Sequence, residues 1–400
     1  MEISERMLEF VRCHANDDVN ALRLRYAGKK TAAFDFNIDF ALTQIEARRK
    51  ARKKLPSFIA NDSFLFPSLL SEEQATNESV ARFHTSLITA NSKVLDLTGG
   101  LGIDDFEFCK AGMSVTSCEI DKLKYDILCH NARALGLSDN IILKNCNSID
   151  YVKNCNQAFD VVYTDPARRD DLGARTHGFV DCQPDITSIL SDIKELSQRI
   201  LIKSSPLLDL SLIHETFEEL QHIYVVCFKG ECKEVLIDIR KDSLFSGVTV
   251  VDIEQGLEIS RFHTDFPTSG KLSHASLCNR KKASEYNYLY EPNAGIMKTG
   301  AWTSLIEKYP ELYKADYNTH IFLSDTLYSE FPGRIMKIFG EPDKKALKAL
   351  KGTRMNIVSR NHPLSAPKIS SKYAIISGDT DYLYAFRYLN VPSYLITKPI

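Results

Sequence analysis

The stretch Val94-Leu-Asp-Leu-Thr-Gly-Gly-Leu-Gly-Ile-Asp104 decides the fold of this 400-residue chain. It begins with a short apolar run and continues into a glycine cluster, a pattern typical of a buried parallel strand that turns tightly into a helix. Gly99, Gly100 and Gly102 lack side chains where the backbone of such a turn approaches a ligand closely. Glu119 follows after about 20 residues, the length of one strand-helix-strand step, and its carboxylate could accept from ribose hydroxyls.

Strand and helix patterns alternate from Lys93 onward, which predicts an α/β fold with a doubly wound, mostly parallel sheet. The last two strand patterns are separated only by Gly230-Glu-Cys-Lys233, which is too short for a crossover helix. We therefore expect them to form an antiparallel hairpin at the end of the sheet. Seven strands are predicted, near residues 94–97, 114–119, 141–145, 158–164, 199–204, 223–229 and 234–240.

Four regions are predicted along the chain. Residues 1–90 place apolar side chains at spacings of three and four, which indicates helices. The sheet region spans 91–275. Beyond it the alternation stops, and two small α+β domains are expected, at 276–330 and 331–400.

Composition bounds the class of protein. With 44 % apolar residues the chain can supply cores for two or three globular domains. No apolar run approaches the roughly 18 residues of a membrane span, and the opening Met1-Glu-Ile-Ser-Glu5 lacks the features of a signal peptide, so a cytoplasmic location is expected. The ten cysteines show no Cys-x-x-Cys pair and no histidine at ligand spacing, so we expect reduced thiols and no metal site.

Basic residues cluster in two places although the net charge is -2. One is Arg48-Arg-Lys-Ala-Arg-Lys-Lys54. The other runs from Gly333 to Lys372, where ten basic residues stand against the two acids Glu341 and Asp343. Such runs are either solvated helix faces or surfaces that follow a phosphate backbone, and both interpretations stay open.

A second motif, Asp165-Pro-Ala-Arg168, ends the fourth predicted strand, at the carboxyl edge where open α/β sheets bind ligands. The Asp165 carboxylate and the Pro166 carbonyl could accept hydrogen bonds from an exocyclic amine, and proline stiffens the turn. Arg168 could contact phosphate or a base. The alternative is an ordinary Asp-Pro turn.

These motifs resemble those of class I S-adenosylmethionine-dependent methyltransferases. The whole chain resembles a bacterial family in which that core precedes a ferredoxin-like unit, here 276–330, and a THUMP-like domain, here 331–400. The resemblance implies S-adenosyl-L-methionine as cofactor and, because THUMP domains are associated with RNA binding, an RNA such as rRNA or tRNA as partner. Besides the glycine and Asp-Pro motifs, it rests on Lys54-Leu-Pro56, Glu73-Gln-Ala75, Ser359-Arg-Asn-His-Pro-Leu364 and Ser377-Gly-Asp379.

In such a site Asp96 would hold the ammonium group of the cofactor, and Glu119 would hold its ribose. Asn147, after the third strand, would face the adenine, with Asp150 as an alternative; either could instead cap the next helix. A nicotinamide dinucleotide site is the rival, but Asp105 replaces the third glycine of a G-x-G-x-x-G frame begun at Gly100. The predicted cofactor-binding residues are Asp96, Thr98, Gly99, Gly100, Gly102, Glu119, Asn147 and Asp165.

Three further groups lie near this edge in sequence. Arg169 could clamp phosphate or pair with the adjacent Asp170 and Asp171. His177 and Asp185 follow in the same loop, where a lone histidine is more often structural than catalytic.

The predicted activity is methyl transfer to a nucleobase nitrogen in RNA, with Asp165, Pro166 and Arg168 as catalytic residues. Asp165-Pro-Ala-Arg168 also resembles a motif of uracil-C5 RNA methyltransferases, which use a cysteine after the fifth strand. This chain has Ile200-Leu-Ile-Lys-Ser-Ser-Pro206 there, so carbon methylation through a thiolate is disfavoured. The alternatives are a methyltransferase acting on protein or a small molecule, and a non-catalytic RNA-binding protein with this fold.

Overall fold

Two compact units organise the chain in a computed structural model that describes residues 4–27, 34–168, 178–179, 182–265 and 281–400. The first unit contains residues 1–223, 234–245 and 254–257, and the second contains the rest. The helices are α1 (Glu5–Cys13), α2 (Val19–Tyr26), α3 (Ile38–Ala51), α4 (Pro56–Ile59), α5 (Leu69–Gln74), α6 (Glu78–Ser86), α7 (Ile103–Lys110), α8 (Lys122–Ala134), α9 (Ser148–Asn154), α10 (Leu190–Leu196), α11 (Leu210–Thr216), α12 (Ala294–Thr299), α13 (Trp302–Lys308), α14 (Lys344–Ala349) and α15 (Ala366–Tyr373). The strands are β1 (Lys93–Asp96), β2 (Ser114–Glu119), β3 (Ile141–Asn145), β4 (Val161–Thr164), β5 (Ala167–Arg168), β6 (Cys182–Gln183), β7 (Arg199–Ser204), β8 (Leu220–Phe228), β9 (Glu231–Arg240), β10 (Val248–Glu254), β11 (Leu257–Thr264), β12 (Tyr288–Pro292), β13 (Tyr313–Asp316), β14 (Thr319–Ser324), β15 (Gly333–Gly340), β16 (Asn356–Arg360), β17 (Tyr382–Tyr388) and β18 (Val391–Pro399).

The larger sheet contains the strand order β3-β2-β1-β4-β7-β9-β8. β1 lies parallel to β2 and β4, β3 is parallel to β2, and β7 is parallel to β4, whereas β9 runs antiparallel to β7. β8 and β9 are joined only by Lys229 and Gly230, both at positive φ. The expected parallel-rich sheet is therefore confirmed, and β8 and β9 form the expected hairpin, but this hairpin does not end the sheet.

Nine strands of the described residues belong to this sheet, however, and not the seven expected from the sequence. β10 and β11 continue it beyond β8. They are joined by Gln255 and Gly256, which have φ of 51° and 81°, the backbone of a two-residue hairpin turn. This short turn lets a further hairpin extend the sheet without a helix, which strand-helix alternation does not reveal.

The strand interiors explain why polar side chains collect at one edge. Val94 and Leu95 of β1, Val162 of β4 and Leu201 of β7 are fully buried, as expected for strands covered on both faces. Because parallel strands share a direction, the polar residues at their carboxyl ends lie along the same edge of the sheet.

In the described part of the N-terminal region, six helices precede the sheet, as the spacing of apolar residues indicates. The first three pack around a shared core that includes Met7, Leu42 and Ile45. Residues of the basic run 48–54 make hydrogen bonds within this helical region. Arg48 donates to the carbonyl oxygens of Ile59 and Phe64 at 2.6 and 2.9 Å. Lys54 likewise donates to the carbonyl oxygens of Glu72 and Glu73, at 2.6 and 2.7 Å. Internal contacts therefore account for much of this run.

The second unit contains a seven-stranded sheet with the order β13-β14-β12-β15-β18-β17-β16. β12 pairs antiparallel with both β14 and β15, so strands from either side of residue 330 share one sheet. β16 and β17 are parallel, and α15 follows β16. None of the helices in the described ranges has the length and apolar character to span a membrane.

Candidate functional site

Two of the three glycines in the turn after β1 are required by packing. A Cβ on Gly99 would lie 2.5 Å from Ser117 Oγ, and a Cβ on Gly102 would lie 2.3 Å from Leu128 Cδ1. Gly102 also has a φ of 83° at the start of α7. These two glycines therefore let the turn sit close against β2 and α8.

Gly100 differs from its neighbours, because among the described residues a Cβ there would meet only the carbonyl oxygen of Thr98, at 3.6 Å. Its φ of 56° still favours glycine. Its amide donates to Glu119 Oε2 at 2.9 Å, and Glu119 Oε1 accepts from the amide of Asp121 at 2.7 Å. The space beside Gly100 is thus open to a ligand, and each Glu119 oxygen keeps a second lone pair for a ribose hydroxyl.

Thr98 links the end of β1 to the end of β4. Its hydroxyl donates to Asp96 Oδ1 at 3.1 Å and accepts from the backbone amide of Asp165 at 2.7 Å. The backbone amide of Thr98 also donates to Asp96 Oδ1, at 2.7 Å. The residues predicted to hold the donor and the residue predicted to position the acceptor therefore belong to one hydrogen-bonded unit.

Asp96 and Asp105 form a buried carboxyl pair beneath the turn, with exposed fractions of 2 % and 0 %. Neither oxygen of Asp105 has a partner with hydrogen-bond geometry among the described residues, although Asp96 and Ser117 lie beside it. Burial raises the pKa of Asp105 to about 7, and burial together with the charge of Asp105 raises the pKa of Asp96. A cation bound at Asp96 would favour the ionised form of Asp96, which the predicted ammonium contact requires.

The side chains of Asn147 and Asp185 each accept hydrogen bonds from residues that follow them closely in sequence. Asn147 Oδ1 accepts from the amide of Ile149 at 2.9 Å and so caps α9. Asp185 Oδ1 accepts from the amide and the hydroxyl of Thr187, at 3.0 and 2.6 Å. The capping alternative for Asn147 is therefore present, and its role at the adenine stays a prediction.

The Asp165-Pro166 turn leads into a small ribbon in which β5 pairs antiparallel with β6. The backbone of Arg168 belongs to this ribbon. The side chain of Arg168 lies outside the described part of the structure, as do Arg169, Asp170, Asp171 and His177.

Lys203, near the end of β7, is a member of the site that the sequence did not identify. Its ammonium donates to Asp165 Oδ2 at 2.6 Å and to Thr76 Oγ1 at 3.0 Å, and lies 3.8 Å from Glu234 Oε2. The Lys203 side chain is 11 % exposed, whereas that of Asp165 is 40 % exposed. Asp165 is thus the side of this ion pair that is open to solvent.

A fully buried histidine stands behind Lys203. His84 Nδ1 lies 2.8 Å from Asp104 Oδ1, and His84 Nε2 contacts Glu234 Oε1. Asp104 Oδ2 in turn accepts from the Thr76 hydroxyl at 2.6 Å. Lys203, Thr76, Asp104, His84 and Glu234 therefore form a closed ring of polar contacts, which we call the charged ring.

The charged ring fixes the protonation of its two bases. Burial by itself would lower the pKa of His84, but the charges of Glu234 and Asp104 and their hydrogen bonds outweigh it and raise that pKa to about 10. Burial likewise opposes the charge on Lys203, yet Asp165, Glu234 and Asp104 raise its pKa. Both bases are therefore cationic at neutral pH.

The comparisons with known proteins agree with this architecture. Residues 91–169 match the family model described as RNA cap guanine-N2 methyltransferase, and residues 288–332 match that of a ferredoxin-like domain. No curated protein sequence matches the chain. The structure is similar to the crystal structure named "putative methyltransferase" from Porphyromonas gingivalis W83, with a TM-score of 0.81 and 24 % identity over 100 % of both chains. The chain therefore shares the fold of that protein along its length.

Other solved structures are similar only in part. The SAM-dependent methyltransferase NGO1261 from Neisseria gonorrhoeae is 19 % identical, with a TM-score of 0.30 over 42 % of this chain and 66 % of that one. SMU.776, a "putative methyltransferase" complexed with SAH, is 13 % identical, with a TM-score of 0.32 over 40 % of this chain and 48 % of that one. The THUMP-like assignment of residues 331–400 stays a prediction.

Proposed function

We propose that this chain transfers a methyl group from S-adenosyl-L-methionine to a nitrogen atom of a nucleobase in RNA. The observation that carries the proposal is the Thr98 bridge, because one hydroxyl joins Asp96 on the donor side to Asp165 on the acceptor side. Methyl transfer from a sulfonium needs mainly the alignment of two reactants. A rigid link between the two half-sites supplies that alignment.

On the donor side, the open space at Gly100 and the carboxylates of Asp96 and Glu119 fit the cofactor. Asp96 would hold its ammonium group, Glu119 its ribose and Asn147 its adenine. The cofactor supplies an activated methyl group.

On the acceptor side, the charges favour a neutral nitrogen nucleophile. In their ionised forms Asp104, Glu234 and Asp165 contribute three negative charges, and His84 and Lys203 contribute two positive charges, which leaves a net charge of -1. During transfer a bond forms between nitrogen and the methyl carbon, the bond from that carbon to sulfur breaks, and its electron pair stays on sulfur. Positive charge therefore moves to the nitrogen, where a negative environment stabilises it. The proton then leaves the nitrogen for Asp165 Oδ1.

RNA is supported as the substrate by the basic segment of the second unit. Of its ten basic residues, Arg334 and Arg360 pair with Glu291. The other eight make no ion pair within the described residues, and the lysines of this group on and after α14 are exposed. A cavity of about 540 Å³ beside α15 is lined by Arg360, His362 and Lys368. Cations without acidic partners remain available to phosphates. The family model matched by residues 91–169 is also named for an RNA substrate.

The test is transfer of labelled methyl from the donor to total RNA, total protein and DNA in parallel, followed by nucleoside mass spectrometry. We expect label in RNA and a methylated base nitrogen. Asp165→Asn should lose most turnover but keep donor affinity, whereas Asp209→Asn, at the cap of α11, should behave like wild type. Label in protein alone would reject the RNA substrate. Donor binding with no transfer to any pool would support the non-catalytic alternative.

A further inference from the structure

Lys203 is the member of the charged ring that bonds Asp165, the partly exposed carboxylate at the edge of the site. Its ammonium donates hydrogen bonds to Asp165 Oδ2 and Thr76 Oγ1, and it lies 3.8 Å from Glu234 Oε2, an ion-pair distance without a hydrogen bond. The ring members behind it are almost completely buried, with His84 at 0 %, Glu234 at 4 % and Asp104 and Thr76 at 8 % exposed. Lys203 therefore joins a rigid interior to a carboxylate at the surface.

Asp165 is not needed to neutralise the charged ring. Lys203 and His84 already balance Asp104 and Glu234, two charges against two. Asp165 is added to this balanced set and is held by one oxygen only, since Oδ2 accepts from Lys203 while Oδ1 has no hydrogen-bond partner within the described ranges. The Thr98 bridge fixes the backbone of the same residue. Both the position of Asp165 and the direction of its free oxygen are thus determined.

We propose that Lys203 is a positioning residue for methyl transfer, which holds the Asp165 carboxylate so that its free oxygen accepts a hydrogen bond from the amino group of the nucleobase. This inference rests on the proposed function. It narrows the acceptor to bases with an exocyclic amine, namely adenine, guanine and cytosine. Lys203 does not act as the base, because the surrounding carboxylates keep it protonated.

Lys203 also favours the ionised form of Asp165. The pKa of Asp165 lies above its ordinary value: partial desolvation of its carboxylate at the ion pair raises the pKa, the charge and hydrogen bond of Lys203 lower it, and the charges of Asp104 and Glu234 raise it. His84 and Tyr163 complete the titratable groups around this pair. Removal of the lysine charge should therefore move the ionisation of Asp165 to higher pH.

The experiment compares Lys203→Met and Lys203→Arg with wild type. Lys203→Met should lower kcat by about 10- to 100-fold through misplacement of the acceptor contact, with donor Kd within about twofold. The acid limb of its pH profile should lie at higher pH. Lys203→Arg keeps the charge and should restore part of kcat and the position of the limb. Lys194→Met, which removes a surface ion pair with Glu219, is the matched control.

A second readout does not need turnover. Carbon-13 NMR of labelled aspartates, with Asp165 identified by its loss in Asp165→Asn, should show Asp165 titrating at higher pH in Lys203→Met than in wild type. If Lys203→Met does not fold, Lys203→Gln replaces it, because the amide can still donate but carries no charge. An unchanged Asp165 titration, or a kcat within about twofold of wild type, overturns the inference. Absence of RNA methylation by wild type, with the titration shift still present, instead rejects the proposed function.

Discussion

His84→Gln tests the claim that the native protein buries an imidazolium. The histidine is fully buried between Asp104 and Glu234, and its pKa is raised to about 10 from an ordinary value of 6.5. Glutamine can replace one hydrogen bond but not the positive charge. Removing one member of a buried ionic group while its partners remain costs about 3 to 5 kcal/mol. We expect a loss of this size near pH 6.5.

The pH dependence gives a sharper test, because its sign is fixed. The folded pKa of His84 lies above the unfolded pKa, so its contribution to stability is complete below about pH 6.5 and is lost as the pH rises toward about 10. Between those values the folded state holds one proton more, and the free energy of unfolding falls by about 1.4 kcal/mol per pH unit. From about pH 6.5 to about pH 9, wild type should lose roughly 3 kcal/mol more than His84→Gln.

The assay is urea denaturation followed by far-ultraviolet circular dichroism at several pH values. Trp302, the single tryptophan, belongs to the second unit, so its fluorescence supplies an internal reference. His14→Gln is the control, since His14 bonds one carboxylate, Asp17, in an exposed setting. If the stabilities of wild type and His84→Gln change in parallel with pH, the native histidine is neutral and the charge count of the charged ring is wrong.

Three further outcomes are expected. Gly102→Ala should lower the free energy of unfolding by about 2 kcal/mol or more, because the added Cβ clashes with Leu128. Gly100→Ala meets open space, so it should lower the free energy of unfolding by only about 1 kcal/mol, for its positive φ. Its main effect should be weaker donor binding, measured by calorimetry. Glu119→Ala should reduce donor affinity by about 1 to 3 kcal/mol, and an unchanged affinity, or preference for a nicotinamide dinucleotide, would remove Glu119 from the site. Gel shifts at several salt concentrations should show weaker RNA binding and a flatter salt slope, by about 0.7 log units per lost contact, when three exposed lysines of the second unit become glutamine. The three lysines are Lys345, Lys348 and Lys351, and the control variant replaces Lys53, Lys93 and Lys241. An identical salt slope in the first variant and in wild type would mean that the three lysines form a solvated helix face.

The elements of the larger sheet were predictable because local patterns specify them. Each of the seven expected strands is present, and its observed ends lie within about three residues of the predicted ends. The agreement arises because buried parallel strands are continuous apolar runs bounded by turns. The hairpin of β8 and β9 followed from the length of its connection. β10 and β11 were missed although Val248–Glu254 is rich in β-branched residues, because the two-residue turn Gln255-Gly256 gives no sign of which strand the hairpin joins.

The candidate site was predictable where its residues follow strands directly. Asp96, Glu119 and Asp165 each stand at a carboxyl end, and the register of the parallel strands brings those ends together. The glycines were identified for a partly different reason, because Gly99 and Gly102 serve packing while only Gly100 faces open space. The spacing of the glycines shows that these positions lack side chains, but it does not show whether protein atoms or open space lie beside each glycine.

The charged ring could not be predicted, because its contacts join residues far apart in sequence. His84 meets Asp104 across 20 positions and Glu234 across 150, and Lys203 meets Thr76 across 127. The available signals were a histidine within the apolar stripe of α6 and a lysine within the apolar run of β7. Each signal fits a snorkelling or capping side chain equally well when taken alone. Only the folded structure shows that His84 and Lys203 together balance the charges of Asp104 and Glu234.

The charged ring also ties the N-terminal helices to the chemistry of the sheet edge. Thr76 follows α5 and His84 lies on α6, yet both bond Asp104 at the start of α7. Without these two residues, Asp104 and Glu234 would be buried carboxylates with no imidazolium between them, a state that costs several kcal/mol. Lys203 would then have lost its hydroxyl partner, and Asp165 would be held by a side chain that is itself free to move. The helices before the sheet therefore contribute to the proposed acceptor site through Lys203, although none of their side chains bonds Asp165 among the described residues.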